Sequence, residues 1–201
     1  AGNGAFLSGS VSVLFDTLEN LTFSNNSAKI GSIVWSGQSS VWSGDHTSGF
    51  VVRNISGKAL FDNNTGCLFR NTHSLYQNVN ELVFSNNINR LFSSYNAPLY
   101  TEFENCSKIV FSGNGNEEAK AIITNANDSI YAGHITFKDC GEIIFSGNTM
   151  LDSLFDGATP AITNVGSVKY IDNTVIDGYL IHNIGGTSRD MVISGVTDTY
   201  A

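Results

Sequence analysis

Apolar and polar positions recur along this chain in a fixed internal order. An apolar residue is followed at +2 by Asn, Asp or Thr, at +3 and +6 by apolar residues, at +8 by an aromatic ring and at +11 by Asn. Five copies keep that spacing. They begin at Phe15, Tyr76, Phe103, Phe137 and Ile162, carry their rings at Phe23, Phe84, Phe111, Phe145 and Tyr170, and end at Asn26, Asn87, Asn114, Asn148 and Asn173. A sixth copy is one residue longer: Val52, Asn54, Ile55, Leu60, Phe61, Asn64. A degenerate seventh reads Ile181, Asn183, Ile184, Met191, Ile193. Runs such as Leu82-Val83-Phe84 and Ile143-Ile144-Phe145 have the β-branched and aromatic content of strands, and Asn, Gly, Ser and Asp after each run mark turns. No window carries a capped helical stripe.

Successive rings lie 38, 23, 27, 34 and 25 residues apart. Such uneven spacing excludes a tandem array of tight hairpins and suits a coil whose loops vary on the outside. The expectation is an all-β fold: a parallel β-solenoid, specifically a right-handed β-helix of about seven rungs, right-handed because parallel crossovers are. One copy cannot bury its own apolar face, whereas stacked copies bury a continuous core. The rings then form an inward column. The +11 Asn residues form a second column at a turn, where Asn tolerates left-handed backbone and stacked amides bond to one another. Rungs are expected over 6–26, 50–64, 67–87, 91–114, 121–148, 154–173 and 175–195. Loops are expected near 87–98, 115–120 and 149–160.

The chain is 201 residues long with a formal net charge of −8. Residues 1–201 read as a single domain. The chain starts at Ala1 without a signal peptide, and neither end reads as a cap, so a fragment of a longer protein is expected. Only 14% of residues are charged and no Lys/Arg cluster exists, which argues against nucleic acid as a partner. No apolar run nears the roughly 20 residues of a membrane helix. Cys106 and Cys140 share the +3 position of successive copies. They read either as two small buried side chains or as a disulfide; Cys67 has no evident partner.

Phe-x-x-Asn occurs as Phe23-Ser24-Asn25-Asn26, Phe61-Asp62-Asn63-Asn64, Phe84-Ser85-Asn86-Asn87, Phe111-Ser112-Gly113-Asn114 and Phe145-Ser146-Gly147-Asn148. In this the chain resembles the polymorphic membrane proteins of chlamydiae, autotransporter adhesins with repeat-rich passengers. The Gly-Gly-Ala-Ile-type tetrapeptides of that family have no clean copy here; Gly185-Gly186-Thr187-Ser188 is not one. The resemblance implies a passenger exported to the bacterial surface, itself not membrane-spanning, that adheres to a host-cell protein or glycan.

A polysaccharide-active β-helix enzyme is the rival reading. It needs paired carboxylates on neighbouring rungs, or Asp-bound calcium with a basic residue. The carboxylates are scattered: Asp139 reads as a turn residue, Glu117-Glu118 as a solvated pair, and Asp152, Asp156 and Asp172 do not align. His46, His73, His134 and His182 lack a triad context. No catalytic residue, metal ligand or cofactor site is assigned. A third reading is a structural fibre or spike subunit associating through its end rungs. The candidate partner-binding residues are Trp35 and Trp42. They occupy near-duplicate Val-Trp-Ser-Gly segments within 27–49, the longest stretch without the repeat, and Trp dominates interface energies. Indoles packed inside an irregular rung are the alternative.

Overall fold

The computed structural model describes residues 7–9, 12–36, 49–70, 72–94, 100–117, 121–125, 133–151, 153–156, 158–177, 185–194 and 197–198. Among these the fold is all-β, and every strand pairing is parallel. Three parallel sheets are formed. The largest runs from Ser12–Leu18 and Leu21–Ser24, through the long strands Gly49–Asp62 and Ser74–Ser85, to Ala158–Ile171 and Gly185–Ser194. A second holds Leu7–Gly9, Ser27–Ser36, Thr65–Arg70, Phe92–Ser94, Ala121–Asn125 and Ser153–Asp156. Thr149–Met150, Thr174–Val175 and Thr197–Asp198 make the third.

The repeat sets the register. Phe23 pairs with Phe61, then come Phe84, Phe111, Phe145 and Tyr170. Phe15, Val52, Tyr76, Phe103, Phe137 and Ile162 form a second column. From the second sheet, Val34, Phe69 and Phe92 are registered in a third. Within a column the rings stack: Phe84 on Phe111 at 5.2 Å and 6°, Phe111 on Phe145 at 4.8 Å and 6°, Phe103 on Phe137 at 4.7 Å. Between columns they meet edge to face, as Phe84 and Phe103 do at 88°. Both geometries suit the ring quadrupole, which disfavours an eclipsed sandwich. Phe84, Phe103 and Phe111 are fully buried.

The +11 Asn residues stack in a ladder of bonded amides, as expected, but without the left-handed backbone expected of them. Asn64, Asn87, Asn114, Asn148 and Asn173 are fully buried. From Asn64 to Asn148 each Nδ2 donates to the Oδ1 of the next Asn: Asn64 to Asn87 at 2.8 Å, Asn87 to Asn114 at 2.9 Å, Asn148 to Asn173 at 2.8 Å. The backbone N–H of each donates to the same Oδ1, as Asn114 does to Asn148 at 3.0 Å. The second Nδ2 proton goes to the ring residue's carbonyl one copy back, as from Asn114 to Phe84 at 2.8 Å. Left-handed backbone sits instead at two other places in the copy. One is the +2 position: Thr17, Asn54, Asn78, Asn105, Asp139 and Asn164. The other directly precedes the inner Asn: Asn25, Asn63, Asn86, Gly113, Gly147 and Asp172. Residue types that tolerate positive φ occupy nearly all of them.

Three expectations are corrected, and the stretch left open between an irregular rung and an outward loop is narrowed. In the longer copy Ala59, not Leu60, aligns with Leu82, because the extra residue is absorbed in a bulge between Ile55 and Lys58. A Cβ on Gly57 there would lie 2.5 Å from Asn20 Oδ1. In the last copy Met191 and Ile193 pair with Val168 and Tyr170, but Gly186 stands opposite Ile162; Ile181, Asn183 and Ile184 lie outside the described residues. The stretch 27–49 opens as strand Ser27–Ser36. The expected loop at 149–160 contains strands Thr149–Met150 and Ser153–Asp156, too short to show alternation.

Phe111→Ala is expected to destabilise by about 3–5 kcal/mol in urea unfolding, the cost of deleting a buried ring. Asn114→Asp is isosteric but sets a carboxylate oxygen against two acceptors, Phe84 O and Asn148 Oδ1. Its folded pKa is therefore raised above the unfolded value of about 3.9. Its stability should be fullest below that value and fall as pH rises, so the deficit against the parent chain should be larger at pH 7 than at pH 4.

Candidate functional site

The long strands bend at the +2 position, where the backbone turns left-handed between two extended arms. Outside that bend, in the part of the stack where the bulge of Gly49–Asp62 lies, is a groove of about 250 Å³. Ile55 and Val79 are the buried apolar side chains of its lining, and Ser56, Asn78, Asn80, Asn105 and Ser107 give it hydroxyls and amides. The outward Asn side chains bond along the stack in a second ladder. Asn54 donates to Asp16 at 2.8 Å, Asn78 to Asn54 at 2.9 Å, Asn105 to Asn78 at 2.7 Å, and Asn164 to Asp139 at 2.6 Å. Asp139 is thus a turn residue, as its alignment suggested.

Small residues let the backbones close up beside the bend. A Cβ on Gly141 would meet Ser107 O at 2.3 Å, and one on Gly166 would meet Gly141 O at 2.4 Å. Cross-copy charge pairs occur on both arms: Arg53 with Asp16 at 2.7 Å, Lys138 with Glu104 at 2.9 Å, Lys58 with Glu81 at 2.9 Å, and Lys169 with Glu142. Gln77 also donates to Glu104 at 2.7 Å. The Lys138 and Gln77 hydrogen bonds hold the Glu104 carboxyl below its ordinary range. Hydrogen bonds from Arg53, Asn54 and Thr17 bring Asp16 down to about 2.

Cys106 and Cys140 are free, buried thiols in register. A hydrogen bond between them, together with burial, pushes the Cys106 thiol up. Burial pushes Cys67 up to about 12. A thiol held protonated is a poor nucleophile, so Cys106 and Cys67 are packing residues, while the hydrogen bond from Cys106 pulls the Cys140 thiol down. Tyr170 extends a Phe column, and its buried hydroxyl has no hydrogen-bond partner among the described residues.

Of the two Trp candidates, Trp35 lies in strand Ser27–Ser36, its backbone paired with Ser8 and Arg70. Trp42 lies outside the described residues, as do His46, His182, Glu118 and Asp152. His73 is buried against the Tyr100 ring at 5.1 Å. Among the described residues no group of three or more His, Cys, Asp or Glu is placed to hold a metal, and no helix is long and apolar enough to cross a membrane. The groove was not legible in the sequence: Ser56, Asn80 and Ser107 are unremarkable singly, and only register aligns them. Comparison with family models, with curated proteins and with solved structures finds no match.

Two tests follow from this chemistry. Tyr170→Phe removes an unsatisfied buried hydroxyl and is expected to raise stability by about 1 kcal/mol, read as a shift in the urea midpoint. Asp16, with its folded pKa lowered, contributes stability that is present above the unfolded pKa and lost as pH falls towards 2. Asp16→Asn should therefore flatten the acid limb of a melting-temperature profile in that window.

Proposed function

We propose that this chain is a right-handed parallel β-helix of about seven rungs that acts as an adhesin-type rod. On this reading it is part of an autotransporter passenger, displayed at a bacterial surface and attaching to a host-cell protein or glycan. One observation carries the reading. In each copy the inward side chains are committed to ring columns and the inner amide ladder, whereas the bend presents a polar groove outside them. Contacts on a rigid scaffold fall to the residues that packing leaves free. Serine and amide side chains suit hydrogen bonding to the hydroxyls of a sugar. The Phe-x-x-Asn resemblance supplies the biological setting.

The groove and the Trp pair are both candidates for the contact. Beads coated with the chain should attach to host cells well above uncoated beads. Asn80→Ala combined with Ser107→Ala should leave melting within about 0.5 kcal/mol of the parent, as surface changes do, and should reduce attachment. Trp35→Ser with Trp42→Ser tests the other candidate: attachment lost at unchanged melting assigns it there. No attachment by the parent chain sinks the adhesin reading.

A further inference from the structure

Two neighbouring copies place a thiol at the +3 position that the others fill with branched apolar side chains. Ile55 and Val79 precede Cys106 and Cys140, and Val165 follows them. The pairing on either side of the two thiols is in step. Glu104 pairs with Lys138, 34 residues later, and Lys108 pairs with Glu142 at the same offset, which is also that of Cys140 from Cys106. No slip intervenes: Asn105 N donates to Lys138 O at 3.0 Å, and Gly141 N donates to Cys106 O at 2.9 Å.

The thiols are also placed alike within their copies. Each follows a residue in left-handed backbone, Asn105 at φ 52° and Asp139 at φ 55°. Cys106 Sγ lies 3.6 Å from both Tyr76 O and Glu104 O. Cys140 Sγ lies 3.6 Å from Phe103 O and 3.3 Å from Lys138 O. These are the same two carbonyls one copy further on, so both side chains point the same way and the sulfurs stack along the axis. Parallel neighbours are about 4.8 Å apart, inside the Cα separation of about 4.4–6.8 Å that a disulfide spans. Cys67 stands apart, in strand Thr65–Arg70 of the second sheet, with its Sγ on Phe69 O at 3.3 Å.

We propose that Cys106 and Cys140 are an oxidation site, where a small-molecule disulfide converts the two thiols into a disulfide that ties the copy beginning at Phe103 to the copy beginning at Phe137. Cys140 is the attacking sulfur, because the hydrogen bond from Cys106 favours its thiolate. It displaces one thiolate from the oxidant and forms a mixed disulfide. Cys106, which packs as a thiol until then, gives up its proton and attacks Cys140 Sγ, displacing the oxidant's second thiolate. The bond formed is Sγ–Sγ and the bond broken is the oxidant's S–S. Two electrons pass from the pair to the oxidant, and the two protons end on the two released thiols. Cys106 and Cys140 are only 1% and 3% exposed, so the oxidant meets them in a transiently opened copy. The cross-link joins two copies covalently and closes a loop that constrains the unfolded chain. The site does not depend on the adhesion reading.

The test uses the full chain, reduced and then freed of reductant, with oxidised glutathione as the oxidant in urea just below the unfolding transition. Free thiols should fall from three to one, and the intact mass should drop by two hydrogens. Tryptic mapping should join Leu91–Lys108 to Asp139–Lys169 and leave Cys67 unlinked. Returned to buffer, the oxidised chain should melt at a higher temperature than the reduced one. Cys140→Val supplies the side chain that Val79 and Val165 already place in this column, so the variant should fold. It should form no link, and its melting temperature should be the same with or without the oxidant; Cys106→Val should behave alike. Three thiols remaining, a glutathione adduct that never resolves, a link through Cys67 or between two chains, or an oxidised chain that melts no higher than the reduced one would each overturn the proposal.

Discussion

The buried amide ladder is the constraint on which the other features depend. A primary amide in an apolar interior is costly unless both protons and the oxygen are engaged. In Asn87 and Asn114 all are, and each needs an amide directly ahead and a carbonyl and an amide directly behind. A one-residue slip would leave every member unsatisfied at once and turn each column of rings outward. The ladder thus fixes register, and register stacks Phe84 on Phe111 on Phe145. Apolar burial supplies most of the driving force. The amides determine which of several similar stackings receives it.

Much of this was legible because the repeat is spaced in register units. Phe111 and Asn114 fall in column and ladder because +8 and +11 are counted from the same first residue, and parallel pairing preserves counts. The copy at Val52 shows where counting fails. Its extra residue is taken up at Gly57, which slides Ala59 into the place that spacing gave to Leu60. The second sheet was harder to read. Leu154 and Phe155 are buried in a strand of four residues, too few for alternation to declare itself. The positive-φ positions were visible in type, but the sequence does not say which Asn of an Asn-Asn pair turns the chain. In Asn63-Asn64 and Asn86-Asn87 it is the first.

The candidate site was the least legible part, for a physical reason. Core positions obey a rule that repeats. A groove depends on side chains from three copies, whose alignment is known only once register is known. Ser56, Asn80 and Ser107 come from three copies and share no sequence signature. The two Trp residues stood out because they interrupt the pattern; the backbone of Trp35 lies in a paired strand whose register shifts between Ser27 and Ser32.

The uneven spacing of the rings has a mechanical consequence. The inner ladder bonds each copy only to its neighbours, so an end copy can detach without disturbing the next. Pulled from its ends, the chain would yield one copy at a time, like a zip. Each step would release the residues between successive rings, from 23 to 38. At about 3.5 Å per extended residue that is roughly 80 to 130 Å. The outer segments therefore work as stored length of differing sizes, and the order of step sizes in a force trace would read out the order of copies along the chain.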